Sequence, residues 1–96
     1  MIRTDYETSP TLTAGVFTKT FGEFEKVNRA VCVLDTPAAA AAGQLLVVTT
    51  SVSGVTVTVT VLKVALTEAD DASRVFAVAT TGDVSGLTFI ITVDGE

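Results

Sequence analysis

The residue types that carry most enzyme chemistry are scarce in this chain of 96 residues. It has no histidine, the commonest general base and metal ligand. Neither a Ser-His-Asp triad nor a Cys-His dyad can therefore form, and zinc sites of the usual Cys/His type are excluded. Cys32 is the one cysteine, so no intrachain disulfide is available. It lies in the apolar run Ala30-Val31-Cys32-Val33-Leu34, where a free thiol behaves as a small hydrophobe. Ser-Lys chemistry needs the two residues in a shared motif, and no such pair stands out. The carboxylates remain: Glu68, Asp70 and Asp71 share one polar connection, and Asp83 lies in the next. Carboxylates on such loops can ligate calcium through oxygen. The spacing Glu-x-Asp-Asp follows no calcium loop, however, and a solvated acidic turn is the expectation. Asp94 and Glu96 read as solubilising charge. The sequence thus predicts no enzyme, and no catalytic, cofactor-binding or metal-binding residue.

Charge narrows the partners. The net charge is −5, and the six basic residues Arg3, Lys19, Lys26, Arg29, Lys63 and Arg74 form no cluster. Neither nucleic acid nor an anionic membrane is an expected partner. Gly82-x-x-x-Gly86 follows no strand-to-helix pattern and is not a phosphate loop. With no tryptophan and only Tyr6, the chain lacks the usual aromatic platforms for carbohydrate. The first ten residues lack a signal-peptide profile, and Thr, Ser, Gly or Lys interrupts every apolar run before about 18 residues. A soluble product made in the cytoplasm is expected. The apolar fraction of 48% and mean hydropathy of +0.56 are high for so small a domain. Either Val and Ala raise the score over a surface kept wet by Thr and Ser, or some apolar surface is buried against another chain.

The elements that would position any site are strands. In Gly54–Val61, Val55, Val57, Val59 and Val61 share one face of an extended segment, and Thr56, Thr58 and Thr60 share the other. Leu87, Phe89, Ile91 and Val93 repeat the pattern against Thr88, Ile90 and Thr92. Thr and Val, about a third of all residues, suit a pleated, half-buried surface. Strands are predicted over 11–21, 27–35, 45–52, 55–66, 74–79 and 87–93. Ala30 to Leu34 has no polar side chain, which predicts burial on both faces. Thr36-Pro37 through Gly43 carries helix punctuation: an N-cap, a first-turn proline, five alanines and a glycine stop. Ser53-Gly54 is the expected turn of a hairpin. Apolar residues change phase from odd to even after Val61, predicting a β-bulge near Val61-Leu62 or a change of packing environment. Leu62, Ala65, Leu66 and Ala69 also fit helical spacing. Residues 1–10 read as a flexible arm ahead of a single β-domain over 11–96. The fold predicted is all-β: a small antiparallel β-sandwich or partly open barrel of about six strands with one short helical turn.

Two stretches, LLVVTTSVSGVTVTVTVLKVALTEADD from Leu45 and VFAVATTGDVSGLTFIITVDG from Val75, carry a resemblance. They resemble small β-sandwich modules of tailed-virus virions, including head-decoration, head-completion and tail proteins. Such modules show a strand, a Ser-Gly turn, a long alternating strand and an acidic loop. The aromatic that often follows that loop is missing, and Arg74-Val75-Phe76 stands there instead. The resemblance covers about half the chain and assigns no functional residue. It implies a virion structural protein that decorates or completes a viral particle and is made in the host cytoplasm. The implied partners are the chain itself, as a homo-oligomer such as a trimer, and a viral capsid or tail protein. Bare sheet edges must be covered, and a polar arm suits exchange between neighbouring subunits. The alternative is a non-viral β-sandwich binding or adhesion module.

Overall fold

Period-two alternation of Val, Ile and Phe against Thr gives each strand one face to bury, and two such sheets close on each other. A computed structural model describes residues 1–35, 44–65 and 77–96. Among these residues there are seven strands: β1 (Ile2–Thr8), β2 (Val16–Thr20), β3 (Val27–Leu34), β4 (Gln44–Ser53), β5 (Thr56–Ala65), β6 (Ala77–Val78) and β7 (Thr88–Gly95). One layer has the order β1-β7-β3; the other has β2-β5-β4, with β6 also on β5. All pairings are antiparallel. The molecule is an antiparallel β-sandwich.

The core lies between β7 and β5, the central strands of the two layers. Phe89, Ile91 and Val93 of β7 and Val57, Val59 and Val61 of β5 are all at most 1% exposed. Phe17 of β2 meets Phe89 edge-on, with ring centroids 5.4 Å apart. Such contacts add about 1 kcal/mol to the burial of both rings. Phe21, Phe24, Val84 and Leu87 complete the interior. On one side of the sandwich the Thr50 hydroxyl of β4 donates to the Ala30 carbonyl of β3 at 3.0 Å. On the other, Lys19 of β2 bridges to Asp5 and Glu7 of β1 at 3.4 and 3.6 Å.

Two expectations change and two open alternatives resolve. Residues 1–10 are not a free arm: Ile2–Thr8 pairs with β7 along its whole length, from Ile2↔Asp94 to Thr8↔Thr88. Even positions Ile2, Thr4, Tyr6 and Thr8 are β-formers and odd positions Arg3, Asp5 and Glu7 are charged, so the segment is an edge strand with a charged inner side. Second, β3 is not buried on both faces, because only one face of its sheet is covered; Val31 and Val33 are 59% and 50% exposed. Third, no bulge interrupts β5 against β4, whose register runs unbroken from Ser53↔Thr56 to Gln44↔Ala65. The phase change instead marks a change of neighbour. The Val61 N–H donates to the Gly15 carbonyl at 2.8 Å, while the Val61 carbonyl accepts from Ala79 N–H at 3.0 Å. One edge of β5 is thus covered by β2 up to Thr60 and by β6 at Leu62 and Lys63. Fourth, Leu62 to Ala65 is strand, not the start of a helix.

Two turns follow from backbone chemistry. Thr13 and Val16 exchange hydrogen bonds of 2.9 and 3.0 Å around Ala14 and Gly15, whose φ values are +51° and +79°. Positive φ at both central positions defines a type I′ turn. The β4–β5 hairpin turns at Gly54-Val55, one residue later than expected, with Gly54 at φ +62°. The predicted helical turn over 36–43 and the acidic connection of Glu68, Asp70 and Asp71 lie outside the described residues. The 3-10 turn within them is Gly82–Val84.

Candidate functional site

Of the side chains singled out for chemistry, Cys32 and Asp83 lie among the described residues, the first insulated and the second occupied. Cys32 faces the core opposite Ile91 and is 7% exposed. Burial pushes its thiol up to about 11, leaving it protonated and a poor nucleophile at neutral pH. The Asp83 carboxylate accepts from Lys63 Nζ at 2.8 Å, from Thr80 N–H at 2.8 Å and from the Thr80 hydroxyl at 3.0 Å. The bond from Lys63, followed by that from the Thr80 backbone, holds its pKa below the usual carboxylate range. It ties the loop to the end of β5, where Lys63 takes the core-side position after Val61. Among the described residues no group of three His, Cys, Asp or Glu side chains could hold a metal ion, and no helix is long and apolar enough to cross a membrane.

An open cleft of about 550 Å³ runs between the edges of β1 and β2, lined by Glu7, Pro10, Thr11, Thr13, Val16, Phe17 and Thr18. Its one ionisable lining group, Glu7, is engaged by Lys19 at 3.6 Å. Further along β1, Arg3 bridges to Asp5 at 3.7 Å and to Glu23.

The β1 and β2 edges are partly blocked by devices within the chain. Met1 and Gly95 bond reciprocally, the amine to the carbonyl at 3.0 Å and the Gly95 N–H to the Met1 carbonyl at 2.9 Å. Ladder alternation then points the even-numbered backbone groups of β1 outward. Of these, the Tyr6 N–H is capped by the Asp5 carboxylate at 3.1 Å. On β2 the outward groups of Val16 are consumed by Thr13. Pairing of another chain to these edges is thereby discouraged.

The faces differ from the edges. The outer face of the three-stranded sheet is built in rows, one residue from each of β1, β7 and β3: Tyr6-Ile90-Val33, Thr4-Thr92-Val31 and Ile2-Asp94-Arg29. Ile2 is 72% exposed and Tyr6 61%, adding to Val31 and Val33. The Thr4 and Thr92 hydroxyls lie 3.4 Å apart. Arg29 reaches Asp94 at 3.7 Å, and a shallow groove of about 180 Å³ lies along Ile2, Thr92 and Val31. The other outer face divides: Thr18, Thr20, Thr56, Thr58, Thr60 and Ser51 give one end hydroxyls, and Val47, Leu62 and Val64 join exposed Leu45 and Val78 at the other. The first face leaves more of its large apolar side chains in solvent and is the better suited of the two to contact another macromolecule. Sequence reading missed Ile2 and Tyr6 by assigning them to an arm, and Val31 and Val33 by assigning them to the interior. The alternation within Ile2–Thr8 was the signal that could have found the first pair. Comparison with protein-family models, with curated proteins and with solved structures returns no match.

Proposed function

We propose that the chain is a structural protein of a viral particle, which it decorates or completes by docking the outer face of the β1-β7-β3 sheet on a capsid or tail protein. The single observation that carries the docking is the exposure of Ile2, Tyr6, Val31 and Val33 on one flat face. Apolar side chains concentrated in this way mark interaction surfaces. The viral setting rests on the resemblance of the stretches from Leu45 and Val75 to virion modules.

Size favours a particle over a lone partner. Three strands about 4.8 Å apart and seven residues at about 3.3 Å each give a footprint of roughly 330 Å². A standard interface takes about 800 Å² from each side, so one such contact is weak. A repeating particle surface supplies many equivalent sites, and linked copies of a weak binder hold by multivalency. Self-association into a homo-oligomer, such as a trimer, provides that linkage. The face is also favourable electrically: it holds Arg29 and the Met1 amine against Asp94 and Asp35, whereas the chain as a whole carries −5.

The reading is tested by genetic neighbourhood and by particles. Genes for a portal, a protease and a capsid protein are expected beside this one; their absence removes the viral setting. Purified chain is expected to co-sediment with the particles that such a cluster encodes.

A further inference from the structure

Strand β1 is the most weakly anchored of the long strands described. None of its side chains belongs to the core. Arg3, Asp5 and Glu7 turn toward the opposite layer, and Ile2 and Tyr6 stay in solvent. It is retained by its ladder to β7, by threonine contacts and by surface ion pairs to Glu23 and Lys19, which are individually weak and screened by salt. The strand it covers is the opposite kind. β7 buries Phe89, Ile91 and Val93, and without β1 it becomes an apolar edge seeking a partner.

The hinge between β1 and the rest of the chain is strained. Ser9 has φ +50° and immediately precedes Pro10. The left-handed region is costly for an L-residue, and a following proline pushes its predecessor toward extended backbone. Two hydrogen bonds hold Ser9 in place, from its N–H to the Leu87 carbonyl at 2.9 Å and from Gly86 N–H to its hydroxyl at 2.8 Å. Extending the chain at Ser9-Pro10 relieves the strain and swings β1 away from its own β7.

We propose that β1 exchanges between two copies of this chain, each lending residues 2–8 to the β7 of the other with Ser9-Pro10 as the hinge. The second copy offers the same ladder and the same ion-pair partners, so the exchanged state regains the contacts of residues 2–8 and sheds the strain at Ser9, giving up the two hydrogen bonds that hold Ser9. It is opposed by the entropy of association, which makes it concentration-dependent. Each outer face is then composite, with Ile2 and Tyr6 coming from the second copy. The inference goes beyond the docking proposal and does not depend on a viral partner.

The test exploits Thr4 and Thr92, which face each other at a ladder position without backbone hydrogen bonds, where side chains stand closest. The variant Thr4→Cys/Thr92→Cys/Cys32→Ala is incubated over a range of protein concentrations, oxidised, and run denatured without reductant. Exchange predicts a covalent dimer whose yield rises with concentration and well exceeds that of either single cysteine. Adding Ser9→Gly, which tolerates positive φ, is expected to lower that yield several-fold. A monomer closed by an internal disulfide at every concentration overturns the proposal, and it is also what two closed copies stacked face to face would give. A yield no higher than the single-cysteine controls, or one indifferent to Ser9→Gly, overturns it as well. Cys32→Val carries the same cysteine pair should the alanine background fail to fold.

Discussion

At the scale of single residues, polar groups serve the fold and apolar groups divide between interior and face. Asp83 shows the first role. Its carboxylate is held ionised by Lys63 and Thr80, so its folded pKa lies below its unfolded value. The stability it contributes is fully present above the unfolded carboxylate pKa of about 3.9 and disappears as pH falls through the lower folded value. Asp83→Asn is therefore expected to lower the melting temperature at neutral pH, with the gap to the parent narrowing below about pH 4. A gap independent of pH would contradict the assignment. Phe89 and Val33 show the division among apolar residues. Phe89→Ala removes a fully buried ring and should cost about 3–5 kcal/mol in denaturant unfolding. Val33→Asp, half exposed on the outer face, should change stability by no more than about 0.5 kcal/mol.

Elements show how far the sequence could be read. The strands through 55–61 and 87–93 were legible because Val, Leu, Ile and Phe alternate there with Thr, and 45–52 because it is rich in β-branched residues and ends at a turn signal. The all-β sandwich followed from them. What stayed hidden was relational. Nothing local states that Ile2–Thr8 finds its partner some 85 residues away in β7, and charge at alternate positions made it look like an arm. Val31 and Val33 looked interior because a run of apolar residues does not reveal whether one or both faces of its sheet are covered. The phase change after Val61 was visible, but its cause required Gly15, distant in sequence, to approach the backbone of β5. A Cβ on Gly15 would lie 2.8 Å from Val78 Cβ and 3.1 Å from the Val61 carbonyl, at φ +79°. Gly15→Ala is therefore expected to destabilise by about 2 kcal/mol or more. Gly54→Ala, at φ +62° but in open space, should cost only about 1 kcal/mol. Equal losses in the two variants would show that crowding between β2, β5 and β6 is not what requires glycine at position 15.

For the molecule as a whole, the architecture separates three surfaces. The two edge strands of the β1–β2 side are guarded by inward charge, an Asp5 cap and a type I′ turn. One outer face carries hydroxyls at one end and Leu45, Val47, Leu62, Val64 and Val78 at the other; the second is apolar, with its few charges balanced. In a chain of net charge −5, Ile2, Tyr6, Val31 and Val33 thus stand in solvent on a face close to neutral. The high mean hydropathy noted in the sequence thus has two sources: Val, Phe and Ile in a dense interior, and apolar side chains kept on a face. On the docking proposed above, a footprint this small is too little for a tight single contact and calls for repetition.

The most direct measurement is co-sedimentation of the purified chain with particles from its own gene cluster, comparing the parent with Val31→Asp/Val33→Asp. The variant is expected to keep the parent's melting temperature within a few degrees and to lose particle association. Undiminished association of a folded variant would contradict it.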